Sequence, residues 1–245
     1  MKSHKYLILA ILIAFSFTYT LRAHAGFGDF FKKVGEAVGL GGDLSESKIV
    51  QGLKEALEIG TGNAVKLVSK TDGYYQNPGI KIPLPDAVKK VEKVLRTVGY
   101  GAKVDAFELS MNRAAERAAP EAKALFWDTI KQMSIDDARK ILNGRDNEAT
   151  LYFREKTEDR LSQTFKPIVH SAMSKVGVTR SYQELDAKVR SIPFTESLSF
   201  DLDQYVTNGA LDGLFLMLAE EERKIRQNPA ARVTDLLKEV FGSQR

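Results

Sequence analysis

The sequence predicts an all-α protein, a single irregular multi-helix bundle with a central apolar C-terminal helix and two short extended loops that contain proline. Three observations support this class. Apolar residues recur at spacings of three and four through most of the chain. No series of alternating strands joined by short turns is present. The phosphate-binding patterns GxGxxG and Walker A are also absent, so the sequence does not indicate a nucleotide-binding α/β class.

The first 25 residues have the pattern of a cleaved signal peptide. A positively charged start precedes the uncharged run LILAILIAFSFTYTL, which is shorter than the roughly 20 residues of a membrane span. Ala23, His24 and Ala25 fit the small-x-small site that signal peptidase reads. We therefore expect a periplasmic protein that is cleaved after Ala25, with an uncleaved anchor as the alternative. No cysteine follows the run, which argues against a lipid-anchored lipoprotein.

Composition then excludes several functions for the mature chain. Removing residues 1–25 takes away three of the 36 basic residues and none of the 32 acidic residues, which leaves a formal charge of +1. Without a concentrated basic face, nucleic acid is not an expected partner. The chain has no cysteine, and His170 is the one histidine left after cleavage. The sequence therefore predicts no disulfide, no His/Cys zinc site, no other metal and no cofactor.

The remaining chain divides into a short segment and one domain. Residues 26–43 form a predicted amphipathic helix bounded by glycines. Its apolar side carries Phe27, Phe30, Phe31 and Val34. This side predicts either weak contact with a membrane surface or packing against the protein itself, and the second interpretation is favoured because the segment has little net charge. Residues 44–245 form the predicted all-helical domain.

Apolar stripes and helix-end signals place the helices of this domain. The predicted helices run from Ser45 through Val68, from Pro85 to Val98, from Lys103 to Ala118, onward from Pro120, from Asn147 to Val176, and onward from Tyr205. A capping box at Ser134–Asp137 predicts one further short helix. The segments Ile82–Pro85 and Ser191–Phe200 are the two predicted extended loops, because a proline disfavours helix in the residue before it.

The C-terminal helix combines apolar residues with an unusual polar face in the stretch YVTNGALDGLF. Gly209 and Gly213 are four residues apart, which predicts that a neighbouring helix approaches closely there. Tyr205, Asn208 and Asp212 share spacings of three and four. They predict either a polar pocket or a structural hydrogen-bond network that holds helix ends or the IPLP loop, and the network is favoured.

Two other helices carry candidate binding residues. In MNRAAERAAP and the turn before it, the spacing of Glu108, Asn112 and Glu116 aligns them beside the core stripe. Glu108 and Glu116 are therefore a candidate carboxylate pair, either for acid-base chemistry or for binding a hard cation. Acid-base chemistry requires that the pKa of one of the two is raised. The simpler interpretation is a solvated ion pair between Arg113 and Glu116.

The long helix interrupts its own core stripe at Arg154, Thr157 and Glu158. An inward-facing Arg154–Glu158 pair is a candidate site for an anionic or polar ligand, since such a pair is costly unless it is fully hydrogen-bonded. A solvated or projecting helix is the favoured alternative. His170 has no partner visible in sequence and is not predicted to act as a base.

Several segments in order carry a family resemblance. These are GLKEALEIGTGNAV, IKIPLP, MNRAAERAAP, DARKILNG, ATLYF and YVTNGALDGLFLMLAEEERKIRQNPAAR. Together they resemble the bacterial domain-of-unknown-function family 4197 over Leu44 to Phe241. The resemblance implies a mostly helical envelope protein without an established activity, and it brings no assignment of catalytic residues.

The functional expectation is a non-enzymatic binding or interaction module for an envelope partner or a small apolar or amphipathic molecule. One alternative is an enzyme of unrecognised type that uses carboxylates. Its candidate residues are Glu108, Glu116, Glu158 and Asp212. The other alternative is an envelope scaffold that associates through residues 26–43. No catalytic residue is assigned, and the sequence leaves the oligomeric state open.

Overall fold

The computed structural model describes residues 46–175, Glu184, Ala187 and residues 201–227. Regular structure in these residues consists of α-helices and one 3-10 turn, without a strand, so the predicted all-α class is confirmed. Outside the described residues lie the predicted signal peptide, residues 26–43, the predicted loop Ser191–Phe200 and residues 228–245.

The described ranges contain seven α-helices. They are α1 Glu46–Ser69, α2 Asp86–Thr97, α3 Gly101–Ala118, α4 Ala122–Gln132, α5 Ile135–Asn143, α6 Glu148–Lys175 and α7 Leu202–Gln227. The 3-10 turn Ala119–Glu121 joins α3 to α4. None of the helices in these ranges has the length and apolar character needed to cross a membrane.

Local sequence signals set several of these boundaries. Pro85 occupies the N-cap position of α2, so the helix begins one residue later than predicted. The capping box at the start of α5 is confirmed: the Ser134 side chain accepts a hydrogen bond from the Asp137 nitrogen, and the Asp137 carboxylate accepts one from the Ser134 nitrogen, both at 3.1 Å. The α1 helix continues without a break through its glycines.

The core is built around α7, which packs against α1, α3 and α6. Phe126 of α4 lies at the centre, with its ring centroid 5.1 Å from that of Phe153 on α6 and 6.2 Å from that of Phe215 on α7. One side of α7 reaches solvent, where the Leu216 side chain is 44 % exposed. The predicted apolar helix is therefore held by helices on several sides but is not enclosed around its whole circumference.

The glycine face of α7 packs against chain that is not helical. A Cβ atom at Gly213 would lie 2.5 Å from Cε1 of Tyr74, and one at Gly209 would lie 3.0 Å from Cγ1 of Ile82. Tyr74 is fully buried, and its hydroxyl donates to the carbonyl oxygen of Ala210 at 2.6 Å. The close neighbour is thus residues 70–85, between α1 and α2, and the predicted close approach of a second helix at these glycines is wrong.

Candidate functional site

A groove lies between the end of α1 and the outer face of α3. Its volume is about 530 Å³, which falls in the range of roughly 300–1,000 Å³ that is usual for small-molecule pockets. Residues of α3 form most of the lining, while Ser69 and Thr71 complete it from the end of α1 and the turn that follows.

The groove is apolar toward the beginning of α3. Ala106, Phe107 and Leu109 line this end. Phe107 is fully buried beneath this end, and Leu109 is half-buried. Ala114, Ala115 and Ala118 are buried on the core side of α3, which also carries Phe107, and these small side chains bring the helix close to the core.

The groove is charged toward the end of α3. Arg113, Glu116 and Arg117 line it there, together with Pro120 from the 3-10 turn. Residues three and four apart on a helix share a face, which brings the three charged side chains to the same side. Phe107 and Arg117 are separated by ~15 Å along the axis, at the helical rise of ~1.5 Å per residue. The groove therefore has an apolar end and a charged end.

Glu116 is the buried anion of this site, with 5 % of its surface exposed. Its Oε1 accepts hydrogen bonds from the backbone nitrogens of Tyr74 at 3.2 Å and Tyr75 at 3.4 Å. Its Oε2 accepts from Nη1 of Arg113 at 2.6 Å. Burial and a nearby negative charge on Glu116 raise the pKa of the Tyr74 hydroxyl. Glu116 thus fixes the chain after α1 to the side of α3.

Arg113 joins two carboxylates at the edge of the groove. Its Nη1 binds Glu116, and its Nη2 donates to Oδ1 of Asp72 at 2.6 Å. The hydrogen bond to Glu116, with a further contribution from Asp72, raises the pKa of Arg113 above its usual value. The ion pair predicted between Arg113 and Glu116 is present, but its carboxylate is buried and not solvated.

Arg117 differs from Arg113 because it has no anionic partner among the described residues. Its side chain is exposed and lines the groove. No hydrogen bond or ion pair joins it to any residue in the described ranges 46–175, 184, 187 and 201–227. Arg117 is therefore a cation of the groove lining that forms no ion pair with the described residues.

Asn112 and Tyr205 hold the loop that contains IPLP. Asn112 is fully buried, and its side chain binds both the nitrogen and the carbonyl oxygen of Ile82. The Tyr205 hydroxyl donates to the carbonyl oxygen of Pro83 at 3.1 Å. The two predicted site residues therefore serve as partners of backbone groups in an extended segment.

Asn208 and Asp212 lie apart from that loop and face solvent. The side-chain oxygen of Asn208 accepts a hydrogen bond from Gln204 at 2.8 Å. Asp212 pairs with Arg154 at 3.2 Å. Neither residue, nor Tyr205, lines the 530 Å³ groove, so the structure does not bring these three side chains into one pocket with Glu116.

The Arg154–Glu158 pair lies at the surface of α6. Nη1 of Arg154 is 3.3 Å from the Glu158 carboxylate, and the two side chains are 38 % and 44 % exposed. The Arg154 guanidinium also lies over the Phe215 ring, 4.7 Å from its centroid. Thr157 continues the core stripe between them, because it is buried and its hydroxyl donates to the Phe153 carbonyl oxygen. Thr157 is thus a buried polar member of the stripe, and its hydroxyl is hydrogen-bonded within its own helix.

Two pairings connect residues that are distant in sequence. His170 on α6 has its Nδ1 atom 2.7 Å from a carboxylate oxygen of Asp203 on α7. Glu222 on α7 is buried and accepts hydrogen bonds from the backbone nitrogens of Ala149 and Thr150 at the start of α6. Sequence spacing gives no signal for contacts of this kind, since the paired residues belong to separate helices.

Two other hollows are smaller than the groove, and no metal site is found among the described residues. A cavity of about 30 Å³ lies beside Glu222 and has room for about one water molecule. A second hollow of about 420 Å³ lies on the far side of the turn after α1 and shares Thr71 with the groove. Within the described residues, no group of three or more His, Cys, Asp or Glu side chains is arranged to hold a metal ion.

The sequence prediction included Glu116 but did not identify Phe107, Leu109 or Arg117 as lining a site. A signal for the charged end is present in the sequence: Arg113 and Arg117 are four residues apart and alternate with alanines that face the core. The backbone groups that bind Glu116, at Tyr74 and Tyr75, lie more than 40 residues away along the chain, so the sequence around Glu116 gives no sign that it is buried.

A family model described as "Protein of unknown function (DUF4197)" matches residues 43–242. The match covers most of the chain, and the chain belongs to this family, as its sequence segments predict. Neither a curated protein nor a solved structure matches it.

Proposed function

We propose that this member of the DUF4197 family is a non-enzymatic binding protein that takes a small amphipathic molecule into the groove along α3. One observation carries the proposal: a groove of about 530 Å³ with an apolar end at Phe107 and Leu109 and a cationic end at Arg117. Such a lining buries the apolar part of a ligand and leaves a few polar groups to orient the rest.

The carboxylates support binding over acid-base catalysis. Glu108 pairs with Lys81 at 2.7 Å, and Glu116 is bound by Arg113 and two backbone nitrogens. Glu158 and Asp212 share Arg154. A general acid or base must reach the substrate proton, whereas these carboxylates are already bound to cations of the protein.

The proposal includes a periplasmic location, with cleavage after Ala25. An amphipathic molecule in an aqueous compartment exposes its apolar part to water, and a groove that covers this part lowers the free energy of the complex. The pattern of residues 1–25 supports this location.

The test is a titration of the mature protein with N-phenyl-1-naphthylamine, a neutral dye that fluoresces in apolar surroundings. The Ala106→Trp variant fills the apolar end of the groove, because Ala106 is an exposed residue of its lining. Ala102→Trp is the matched control: Ala102 is exposed one turn earlier on α3 and does not line the groove.

We expect saturable binding to the wild-type protein and to Ala102→Trp. In Ala106→Trp the affinity should fall about tenfold or more, which corresponds to about 1.4 kcal/mol of binding free energy. Equal affinity of both variants, or a signal that does not saturate, would refute the proposal. Native mass spectrometry of the exported protein adds an independent readout, since a retained ligand appears as extra mass that is lost on denaturation.

A further inference from the structure

We infer that the ligand carries an anionic head group, a carboxylate or a phosphate, and that Arg117 receives it at the charged end of the groove. The inference rests on the proposed function and adds the chemical class of the ligand. Its basis is the balance of charge among the side chains that line the groove.

The negative charge in the groove is already neutralised. Glu116 is the one carboxylate among the lining residues. It receives hydrogen bonds from two backbone nitrogens and from Arg113, and it is 5 % exposed. It therefore has little capacity left to attract a cationic ligand or to pair with Arg117.

The residues that line the groove carry one more positive than negative charge, with Arg113 and Arg117 against Glu116. Each Nη atom of Arg113 binds one carboxylate, that of Glu116 or that of Asp72. Arg117 adds a second guanidinium to the same lining and has no anionic partner among residues 46–175, 184, 187 and 201–227. An anion that enters the groove therefore meets a guanidinium whose donors are not used by any described residue.

Arg117 also has suitable geometry for an oxyanion. A guanidinium presents parallel N–H groups that bind two oxygens of a carboxylate or phosphate at once. Arg113 lies one turn away on the same face, and part of its set of five N–H donors is not used by Asp72 and Glu116. The head group then lies near Arg117, and the apolar part extends toward Phe107 and Leu109.

A purely structural role for Arg117 makes a different prediction. Arg117 lies in the last turn of α3, where a cation is stabilised by the helix dipole. In that case its replacement changes the unfolding temperature and leaves the choice of ligand charge unchanged. A measurement of ligand selectivity therefore distinguishes the two roles.

The experiment uses two probes of nearly the same shape. N-phenyl-1-naphthylamine is neutral, and 8-anilinonaphthalene-1-sulfonate is the same ring system with an added sulfonate. The measured quantity is the ratio of the two dissociation constants, neutral over anionic. It is determined for the wild-type protein, for Arg117→Gln, and for Arg160→Gln, which removes an exposed arginine of α6 outside the groove.

In the wild type we expect a ratio above one, which means tighter binding of the anionic probe. The ratio should fall about tenfold in Arg117→Gln and change less than about twofold in Arg160→Gln. If both probes bind but Arg117→Gln leaves the ratio unchanged, the inference is wrong and the proposed function stands. An equal fall in Arg160→Gln also overturns it, because net charge alone then explains the preference. If the neutral probe does not bind the wild type, the proposed function itself fails.

Competition with the neutral probe identifies the head group. Decanoate, decyl phosphate and decyltrimethylammonium carry a chain of the same length on a carboxylate, a phosphate and a cation. We expect one or both anions to displace the probe at lower concentration than the cation. The anion that displaces it at the lower concentration then indicates whether the head group is a carboxylate or a phosphate. Equal or stronger displacement by the cation overturns the inference.

Discussion

Asn112 pairs with both backbone polar groups of Ile82. Its side-chain oxygen lies 2.8 Å from the Ile82 nitrogen, and its side-chain nitrogen lies 2.9 Å from the Ile82 carbonyl oxygen. Buried backbone groups need hydrogen-bond partners, and an extended segment usually finds them in a neighbouring strand. Here one amide side chain of α3 takes the place of that strand.

Replacing Asn112 by alanine should destabilise the protein by roughly 2–4 kcal/mol, because it leaves two buried backbone groups of Ile82 without partners. The measurement is urea unfolding of the variant and of the wild type. Asn208→Ala is the control: Asn208 is exposed, and among the described residues its side chain hydrogen-bonds only to that of Gln204. Its effect should stay within about 0.5 kcal/mol. A loss below about 1 kcal/mol for Asn112→Ala would contradict the prediction.

Replacing Gly213 by alanine should cost about 1–3 kcal/mol, because the added methyl group overlaps the Tyr74 ring at a buried contact. Gly62→Ala is the opposite case, since a Cβ atom there meets nothing within 4 Å. Gly62 lies inside α1, so its replacement should stabilise the protein by up to about 1 kcal/mol. Thermal or urea unfolding of the two variants tests both signs. Equal changes in the free energy of unfolding for the two variants would contradict the steric overlap at Gly213, because helix propensity alone would then explain both.

Stability should depend on pH through the capping box of α5. The hydrogen bond from the Ser134 side chain lowers the pKa of Asp137 below its usual value of 3.8. A lowered folded pKa stabilises the protein above the unfolded value and loses this contribution as the pH falls through the folded value. Ser134→Ala should therefore cost about 1 kcal/mol at neutral pH and less in acid.

Urea unfolding of Ser134→Ala and wild type at about pH 7 and at about pH 2.5 measures this difference, since the two conditions lie on either side of the titration of aspartate. Ser174→Ala is the control, because Ser174 is exposed on α6 and its side chain has no hydrogen-bond partner among the described residues. Its effect should not depend on pH. A Ser134→Ala effect that is constant between the two conditions would count against the role of Asp137.

Replacing Glu222 by glutamine should destabilise the protein by roughly 3–5 kcal/mol, because it removes the negative charge that faces the nearly buried Arg226 guanidinium. The paired atoms lie 2.8 Å apart, and the two side chains are 10 % and 6 % exposed. Glu220→Gln makes the same change two residues earlier on α7, at a half-buried residue without an ion pair in the described part of the chain. It should change the unfolding free energy by less than about 0.5 kcal/mol. Similar effects of the two variants in urea unfolding would contradict a specific role for Glu222.

The parts of the fold that follow from local patterns could be predicted. The apolar stripe of α3 and the capping box at Ser134 depend on residues three and four apart, and both are present as expected. Pro83 and Pro85 likewise keep the residues before α2 out of a helix. The groove could not be located in this way, because its walls come from the end of α1 and from α3, and periodicity does not state how far apart two helices lie.

The roles of single polar residues depend on tertiary contacts. Asn112 and Glu116 look alike in sequence, one turn apart on a helix rich in alanine. Asn112 binds Ile82, 30 residues away, and Glu116 binds Tyr74, 42 residues away. His170 similarly has its partner at Asp203. Spacing along one helix shows which face a side chain occupies, whereas its partner is determined by which segment packs there.

The pair of Glu222 and Arg226 also connects three helices. Glu222 receives the first backbone amides of α6, and Arg226 donates to the carbonyl oxygen of Ile141 near the end of α5 at 2.9 Å. Because both helix ends depend on the same two side chains of α7, neither end can fray without breaking these bonds. Amide hydrogens at Ala149 and Thr150, although at a helix start where exchange is usually fast, should therefore exchange only when the whole bundle opens.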